Sequence, residues 1–441
     1  MNAKTICDFI IAEQNEINIK ESTKETKIKK IVHLSKYFQH QKTFHDMTKD
    51  DILDYLNSLR KSHLEDPTHK SIGTWNARQM LFLKFFRWLY SPNESDLRRR
   101  NTPDCMKGIR QLPRKEKSPY KPEDMWSAEE HAIFLKYCPF PRDRCYHSMA
   151  NDTSARPHEL LNLRIRDVKF KISSEGIQYA EVTVNGKTGN RTLPLIDSIP
   201  YLKEWLLNHP YGNRQDVWLF VSLSDKSWLN SKNNNNNTVS NITPAMIPQL
   251  SVNGLLKRYK IQHHNLFQKL LEDKEVPEVD KSLIRNILTK PINLYILRHS
   301  ALTEKSKIVK EHILRNHAGW SMSSNMPQRY IHYFGNESSN SILKVKGILK
   351  DKEDFTQTIL RPRQCPNCTE LNKNDSKICV KCRMVLTYDS YSEVRNEDKQ
   401  KIDSLESDMK ILKEGMNQIF LLVQQNPVLA HVKPEILEKA K

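Results

Sequence analysis

Residues 153–168 read TSARPHELLNLRIRDV. Pro157 suits the first position of a helix, where a missing N–H goes unnoticed, so Arg156 stands at a helix start with Leu160, Leu161 and Leu163 turned inward. A guanidinium planted there reaches out from a rigid base. Downstream the period changes: residues 178–195, QYAEVTVNGKTGNRTLPL, put Ala180, Val182 and Val184 on one face, with Leu193 and Leu195 following a glycine-containing turn. Alternation by two predicts a β-hairpin. Nearly everywhere else the apolar spacing is three and four, so the chain reads as mostly α with a small β element.

Toward the N-terminus, KIKKIVHLSKYF (27–38), DDILDYLNSLR (50–60) and NARQMLFLKFFRWLY (76–90) predict a small helical domain over residues 1–97. Asp50 or Asp51 is expected to cap the second of these helices and Thr74 the third. Residues 98–117, RRRNTPDCMKGIRQLPRKEK, carry eight basic and two acidic residues broken by Pro103, Gly108 and Pro113, which predicts an exposed basic linker over 98–123. A further domain over 124–350 opens with Ser127 and Glu130 as a capping box before the apolar run HAIFLKYC. The run Asn233–Asn237 marks a low-complexity loop, and helices resume from about residue 250 to 335.

The charge balance narrows the partner. Across 441 residues, 70 Lys and Arg face 52 Asp and Glu, a net +18, which suits a polyanion because each neutralised phosphate releases condensed counterions. Nucleic acid fits better than a membrane surface. No apolar run approaches a spanning helix, and the N-terminal stretch breaks into charge too early for a signal peptide, so a cytoplasmic protein is expected.

Of eight cysteines, Cys7, Cys105, Cys138 and Cys145 are scattered, whereas Cys365, Cys368, Cys379 and Cys382 form two CxxC pairs ten residues apart. That spacing argues against a disulfide framework and for four thiolates converging on a structural zinc ion within a ribbon-like module over 361–388. A site closed by four thiolates has no open position for catalysis. The basic flanks RPRQ and KCR leave a DNA contact and a folded spacer both open. Beyond it, Ile402, Leu405, Met409, Leu412, Met416, Ile419 and Val423 form a heptad seam on a helix over 395–426, ended by Pro427. The seam could pair protomers or pack back on its own chain.

Two more stretches complete a chemical set: YILRHS (295–300), with Arg298 after an apolar run, and AGWSMSSNMPQRYIHY (318–333), with Tyr330. No dense Asp/Glu cluster of the kind a two-metal nuclease needs accompanies them. In order and content the set resembles the motif boxes of the tyrosine recombinases, the phage-integrase family, in an archaeal type with a C-terminal zinc ribbon. ARPHELLNL resembles the first arginine box, LRHS the second, and GW followed by RYIH the nucleophile box; the likeness spans about residues 20–340. It implies a helical core-binding domain (1–97) joined by the linker to a catalytic domain (124–350). It also implies a site-specific recombinase or integrase that cuts and rejoins double-stranded DNA through a covalent 3′-phosphotyrosine, without a catalytic cofactor and usually as four subunits.

The chemistry explains the residue types. A phenol with an ordinary pKa of about 10 is a poor nucleophile until it is aligned and sheds its proton. As Tyr330 attacks phosphorus, charge builds on the non-bridging oxygens, and the planar forks of Arg156 and Arg298 meet it. The resemblance nominates Lys187, in the hairpin turn, as the acid that protonates the departing 5′-oxygen; Arg191 is a nearby competitor. Two positions depart from the common pattern: Tyr295 and Trp320 stand where histidines are often found, and both can donate a hydrogen bond without shuttling a proton as imidazole does. His299 either compensates or is a packed histidine, Glu159 either orients a neighbour or faces solvent, and Tyr333 is the rival nucleophile. Competing readings are a type IB-like topoisomerase and a catalytically idle, sequence-specific DNA-binding protein.

Overall fold

The computed structural model describes residues 2–62, 64–67, 69–94, 96, 99–113, 122–186, 189–223, 248–331, 359–387 and 389–425. It is mostly helical with two small antiparallel sheets, and it divides into two compact units, Met1–Lys121 and Pro122–Lys441. No helix among the described residues is long and apolar enough to cross a membrane.

The first unit packs α1 (Asn2–Ile17), α2 (Glu21–Tyr37), α3 (Lys49–Ser58) and α4 (Lys70–Tyr90) around an aromatic core. Phe85 meets Phe9 and Phe44 edge-on at 5.2 and 4.9 Å, the geometry that opposes a ring's positive edge to its neighbour's negative face. Helix ends differ from expectation. Thr48 caps α3 and Asp51 reciprocates from the third helical position, so neither Asp50 nor Asp51 is the cap. Thr74 lies inside α4, whose first turn is met by the Asp66 carboxylate accepting from Ser71 N at 2.6 Å. A side chain from outside the helix satisfies a donor there, a signal the local pattern does not carry.

The run expected as an exposed linker is tied down over its described part. Cys105, Met106 and Ile109 enter the core of the first unit, Asn76 exchanges two hydrogen bonds with the backbone of Leu112, and buried Arg100 pairs with Glu16 at 2.5 Å. Three apolar residues in a basic stretch, helped by these polar contacts, anchor it.

The second unit begins with α5 (Ala128–Tyr137), capped as expected by Ser127 and Glu130, then α6 (Pro141–Thr153) and α7 (Pro157–Leu161). A three-stranded antiparallel sheet follows in the order β1 (Val168–Ile172), β2 (Gln178–Gly186), β3 (Gly189–Leu195). The hairpin and its buried face of Ala180, Val182, Val184, Leu193 and Leu195 match the alternation, with Val182 opposite Leu193. Strand β1 was not anticipated: four of its five residues are exposed, so burial leaves little imprint on its sequence. The asparagine run lies outside the described residues.

Among the described residues, helices α8 (Ile199–Asn208), α9 (Val252–Arg258), α10 (His264–Glu272), α11 (Glu278–Thr289), α12 (Leu294–Ile308), α13 (Glu311–Ala318) and α14 (Met326–Ile331) follow in the body of this unit. Its interior holds a hydrogen-bonded relay in which His131 meets His147 at 2.8 Å and His147 meets the Tyr259 hydroxyl at 3.1 Å. The cysteine module, with its two-stranded sheet β4 (Arg363–Gln364) and β5 (Leu371–Asn372), docks on α8. Lys373 bridges to Glu204 at 2.9 Å and lies over the Tyr201 ring, and Lys203 pairs with Glu370. Finally, α15 (Asp389–Gln425) carries the heptad seam, exposed from Ile402 through Met416; Pro427 lies outside the described residues.

Candidate functional site

Arg156 occupies the position before Pro157 that opens α7, and its extended backbone leaves its own N–H free to donate to Glu159 Oε2 at 2.8 Å. Its guanidinium Nη1 donates to Oε1 of the same carboxylate at 2.8 Å. Glu159 is therefore buried and committed rather than solvent-facing, and it takes a second guanidinium: Arg191, from β3, forks onto it with Nη2–Oε2 at 2.6 Å and Nη1–Oε1 at 3.2 Å. Burial alone would raise the Glu159 carboxyl, but hydrogen bonds from Arg191 and from the Arg156 backbone and side chain hold it down to about 2.

Arg191 lies between two glycines. A Cβ on Gly186, the last residue of β2, would fall 2.5 Å from Glu159 Oε1 and 2.9 Å from Arg191 Nη1. A Cβ on Gly319 would fall 2.8 Å from that same nitrogen, and Gly319 also closes α13 in the left-handed region at φ +65°. Arg191 Nε further donates to the His317 carbonyl at 3.0 Å. So engaged, Arg191 joins the sheet to α7 and α13. Lys187 and Thr188 lie outside the described residues; the strands on either side pair through Gly186 and Gly189.

Arg298, in the second turn of α12, is 4% exposed. Its Nη1 donates to the Ser154 carbonyl at 2.5 Å and its Nη2 to the Ala318 carbonyl at 2.7 Å. Those oxygens sit at the C-terminal ends of α6 and α13, where Ser154 (φ 49°) and Gly319 turn left-handed, so two helix ends present partial negative charge to one cation. Burial and the neighbouring charge of Arg156 lower the guanidinium to about 10, still protonated at neutral pH. Two of five donors are spent on carbonyls, which fixes the plane of the fork.

Tyr330, on α14, is 3% exposed and packs with Leu302, Leu314, Ala318 and Trp320. Its ring stacks with Trp320, at 5.3 Å, and with His299, at 5.7 Å, each tilted by 24°. The Tyr330 hydroxyl lies 2.7 Å from His299 Nδ1. His299, left open by sequence as a packed or compensating residue, thus touches the candidate nucleophile. Tyr330 shares its cluster with Ala318, whose carbonyl accepts from Arg298, so the tyrosine and the buried arginine meet on the same helix end. Tyr295 stands one turn before Arg298 with 38% of its surface exposed. Tyr333 lies outside the described residues.

The resulting centre is electropositive. Arg156 and Arg191 hold the Glu159 carboxylate, Arg298 adds a third guanidinium held by the Ser154 and Ala318 carbonyls, and nearby imidazoles register the excess. His317 is lowered to about 3 by burial, Lys305, Arg191 and Arg298, and His158 is lowered by burial and the same three arginines despite Glu159. Such a centre accepts an anion with delocalised charge.

The four cysteines form a separate candidate metal centre. Their sulfurs all lie within 4.8 Å of one another. Two knuckles of the same shape present them: Cys365 N donates to Glu370 O at 2.8 Å and Cys379 N to Met384 O at 2.7 Å. In each, the residue after the second cysteine, Thr369 or Arg383, turns left-handed at φ 58° or 63°. Burial would raise the Cys379 thiol, but the backbone N–H groups of Cys382 and Lys381 and the Asn372 amide bring it down to about 6. Four converging thiols supported by donors fit a tetrahedral structural zinc ion.

No family model and no curated protein matches the chain. Among solved structures it is similar to a lambda integrase dimer bound to a COC′ core site, with 14% identity, a TM-score of 0.47, and coverage of 80% of this chain and 100% of that one. It is similar to the XerH site-specific recombinase bound to a palindromic difH substrate, with 16% identity, a TM-score of 0.46, and coverage of 74% and 80%. It is also similar to the Tn1549 transposon integrase in complex with transposon right end DNA, with 12% identity, a TM-score of 0.43, and coverage of 78% and 99%.

Proposed function

We propose that this chain is a site-specific DNA recombinase or integrase of the tyrosine type, cutting and rejoining double-stranded DNA through a covalent 3′-phosphotyrosine. The observation that carries the reading is the 2.7 Å contact of the Tyr330 hydroxyl with His299 Nδ1 beside a centre of three arginines and one carboxylate. Tyr330 Oη forms the bond to phosphorus while the bond to the 5′-oxygen breaks. The phenolic proton passes to His299, and Lys187 protonates the leaving oxygen. Arg156 and Arg298 stabilise the charge that grows on the non-bridging oxygens, a gain larger in the transition state than in the ground state. Trp320 holds the Tyr330 ring and, with Tyr295, supplies hydrogen-bond donors where imidazoles are often found. The phosphotyrosine preserves the bond energy, so rejoining needs no ATP or catalytic metal.

The rest of the chain serves that centre in the proposal. The first unit, with its basic run over 98–117, supplies phosphate contacts, the cysteines hold zinc, and exchange between duplexes uses several copies of the chain, four on a recombining pair. Such a protein works in the cytoplasm. The test is incubation with nicked suicide substrates, comparing wild type with Tyr330→Phe. A 3′-linked adduct that disappears in the variant supports the reading. An adduct that survives Tyr330→Phe and is lost with Tyr333→Phe moves the nucleophile, and none with any substrate leaves a DNA-binding protein. Strand exchange without plasmid relaxation by the monomer separates recombinase from topoisomerase.

A further inference from the structure

With Ile402 as position a of a heptad, the a positions of α15 are Ile402, Met409, Met416 and Val423, and the d positions are Leu405, Leu412 and Ile419. Ile402, Leu405, Met409, Leu412 and Met416 are each more than half exposed. A stripe of two positions in seven is the seam of a coiled coil, narrower than the face a helix buries on a globular body. The residues beside it choose the occupant. Lys401 and Asp408 fall at g, Glu406 and Lys413 at e, and all four are exposed.

In a parallel, in-register pair each g residue faces the e residue five positions on in the other strand. Lys401 then meets Glu406 of the second copy, and Asp408 meets its Lys413. By symmetry each of these two contacts is made twice and each pairs opposite charges; the third, Gly415 with Phe420, carries no charge, so no like-charge contact arises. β-branched Ile402 at a with Leu405 and Leu412 at d matches the two-stranded preference. We propose that α15 is a self-association surface that takes a second copy of this chain as a parallel, in-register, two-stranded coiled coil. The pairing stands whether or not Tyr330 cleaves DNA.

The test uses the full chain without DNA. Wild type is expected to run at twice the chain mass by light scattering. A variant with Lys401→Glu and Lys413→Glu makes both charged e–g contacts acidic on each side, and one with Glu406→Lys and Asp408→Lys makes both basic, so each alone is expected at the single-chain mass. Mixed, the two are expected to form a one-to-one heterodimer. A Leu405→Cys variant, oxidised and peptide-mapped, is expected to link position 405 to position 405. Wild type at single-chain mass, or a dimer that persists in both charge variants, overturns the assignment. A dimer in which position 405 does not link to itself overturns the parallel register. Unchanged helical content by circular dichroism in each variant keeps dissociation distinct from unfolding.

Discussion

His299 Nδ1 lies 2.7 Å from the Tyr330 hydroxyl, with the two rings stacked at 24°. A neutral imidazole there accepts the phenolic proton, and a protonated one does not. His299→Gln is expected to slow adduct formation by about 10²–10⁴-fold. The wild-type rate should fall as pH is lowered, and the variant should lose that acid limb while binding DNA as before. Matching pH profiles for the two proteins would reduce His299 to a packing role.

Arg298 spends two donors on helix-end carbonyls, and Arg156 spends one on Glu159, so both present an oriented fork. Arg156→Ala and Arg298→Lys are expected to lower the cleavage rate by about 10²–10³-fold, with DNA affinity moving only severalfold. The Lys variant keeps the charge and loses the fork. Single-turnover cleavage at saturating enzyme, set beside filter binding, makes the separation; losses of equal size in both would mean these arginines only bind.

Glu159 balances three guanidiniums from within the protein, and Glu159→Gln leaves them facing one another. Loss of one partner from a buried pair costs about 3–5 kcal/mol. A fall in unfolding free energy of that order, read from urea denaturation, is expected. Gly186→Ala should act through the same carboxylate, because the added methyl falls 2.5 Å from Oε1. Wild-type stability in both variants would show that the Arg156–Glu159–Arg191 cluster bears little weight.

Acid should destabilise the second unit in two stages. His131, lowered by burial, Lys290 and Lys305, and His317, lowered by burial, Lys305, Arg191 and Arg298, both fall from 6.5 to about 3. The unfolded chain takes up these protons near pH 6.5 and the folded one does not until about 3, so stability is complete above 6.5 and declines through that window. Glu159, depressed from 4.5 to about 2, adds its loss only below 4.5. Chemical denaturation between pH 7.5 and 5 (about the onset of the histidine window) should show the first stage, with a shallower slope in His131→Asn.

Metal removal should be felt beyond the cysteines. One zinc per chain is expected by elemental analysis, lost in Cys365→Ser. Because the module grips α8 through Lys373–Glu204 and Lys203–Glu370, a chelator should raise hydrogen exchange in residues 199–208 as well as 359–387. Exchange confined to the module would show that docking does not depend on the ion.

Several features were legible because local physics sets them. Alternation at 178–195 gave the hairpin, the Ser127–Glu130 box gave the start of α5, the CxxC pairs gave the thiol cluster, and 3–4 spacing gave the seam of α15. Side-chain periodicity, caps and turn chemistry act within a few residues, so they leave a local record. The site itself is not local. That Arg191 locks onto Glu159 between Gly186 and Gly319, that the carbonyls of Ser154 and Ala318 hold Arg298, and that His299 reaches Tyr330 are contacts spanning 20 to 144 positions. The sequence by itself determined which residues could take part, mostly helical segments carrying two arginines and a tyrosine. Only the tertiary structure decided their partners, because a guanidinium or an imidazole is defined by what lies within 3 Å of it, and packing between distant elements decides that distance.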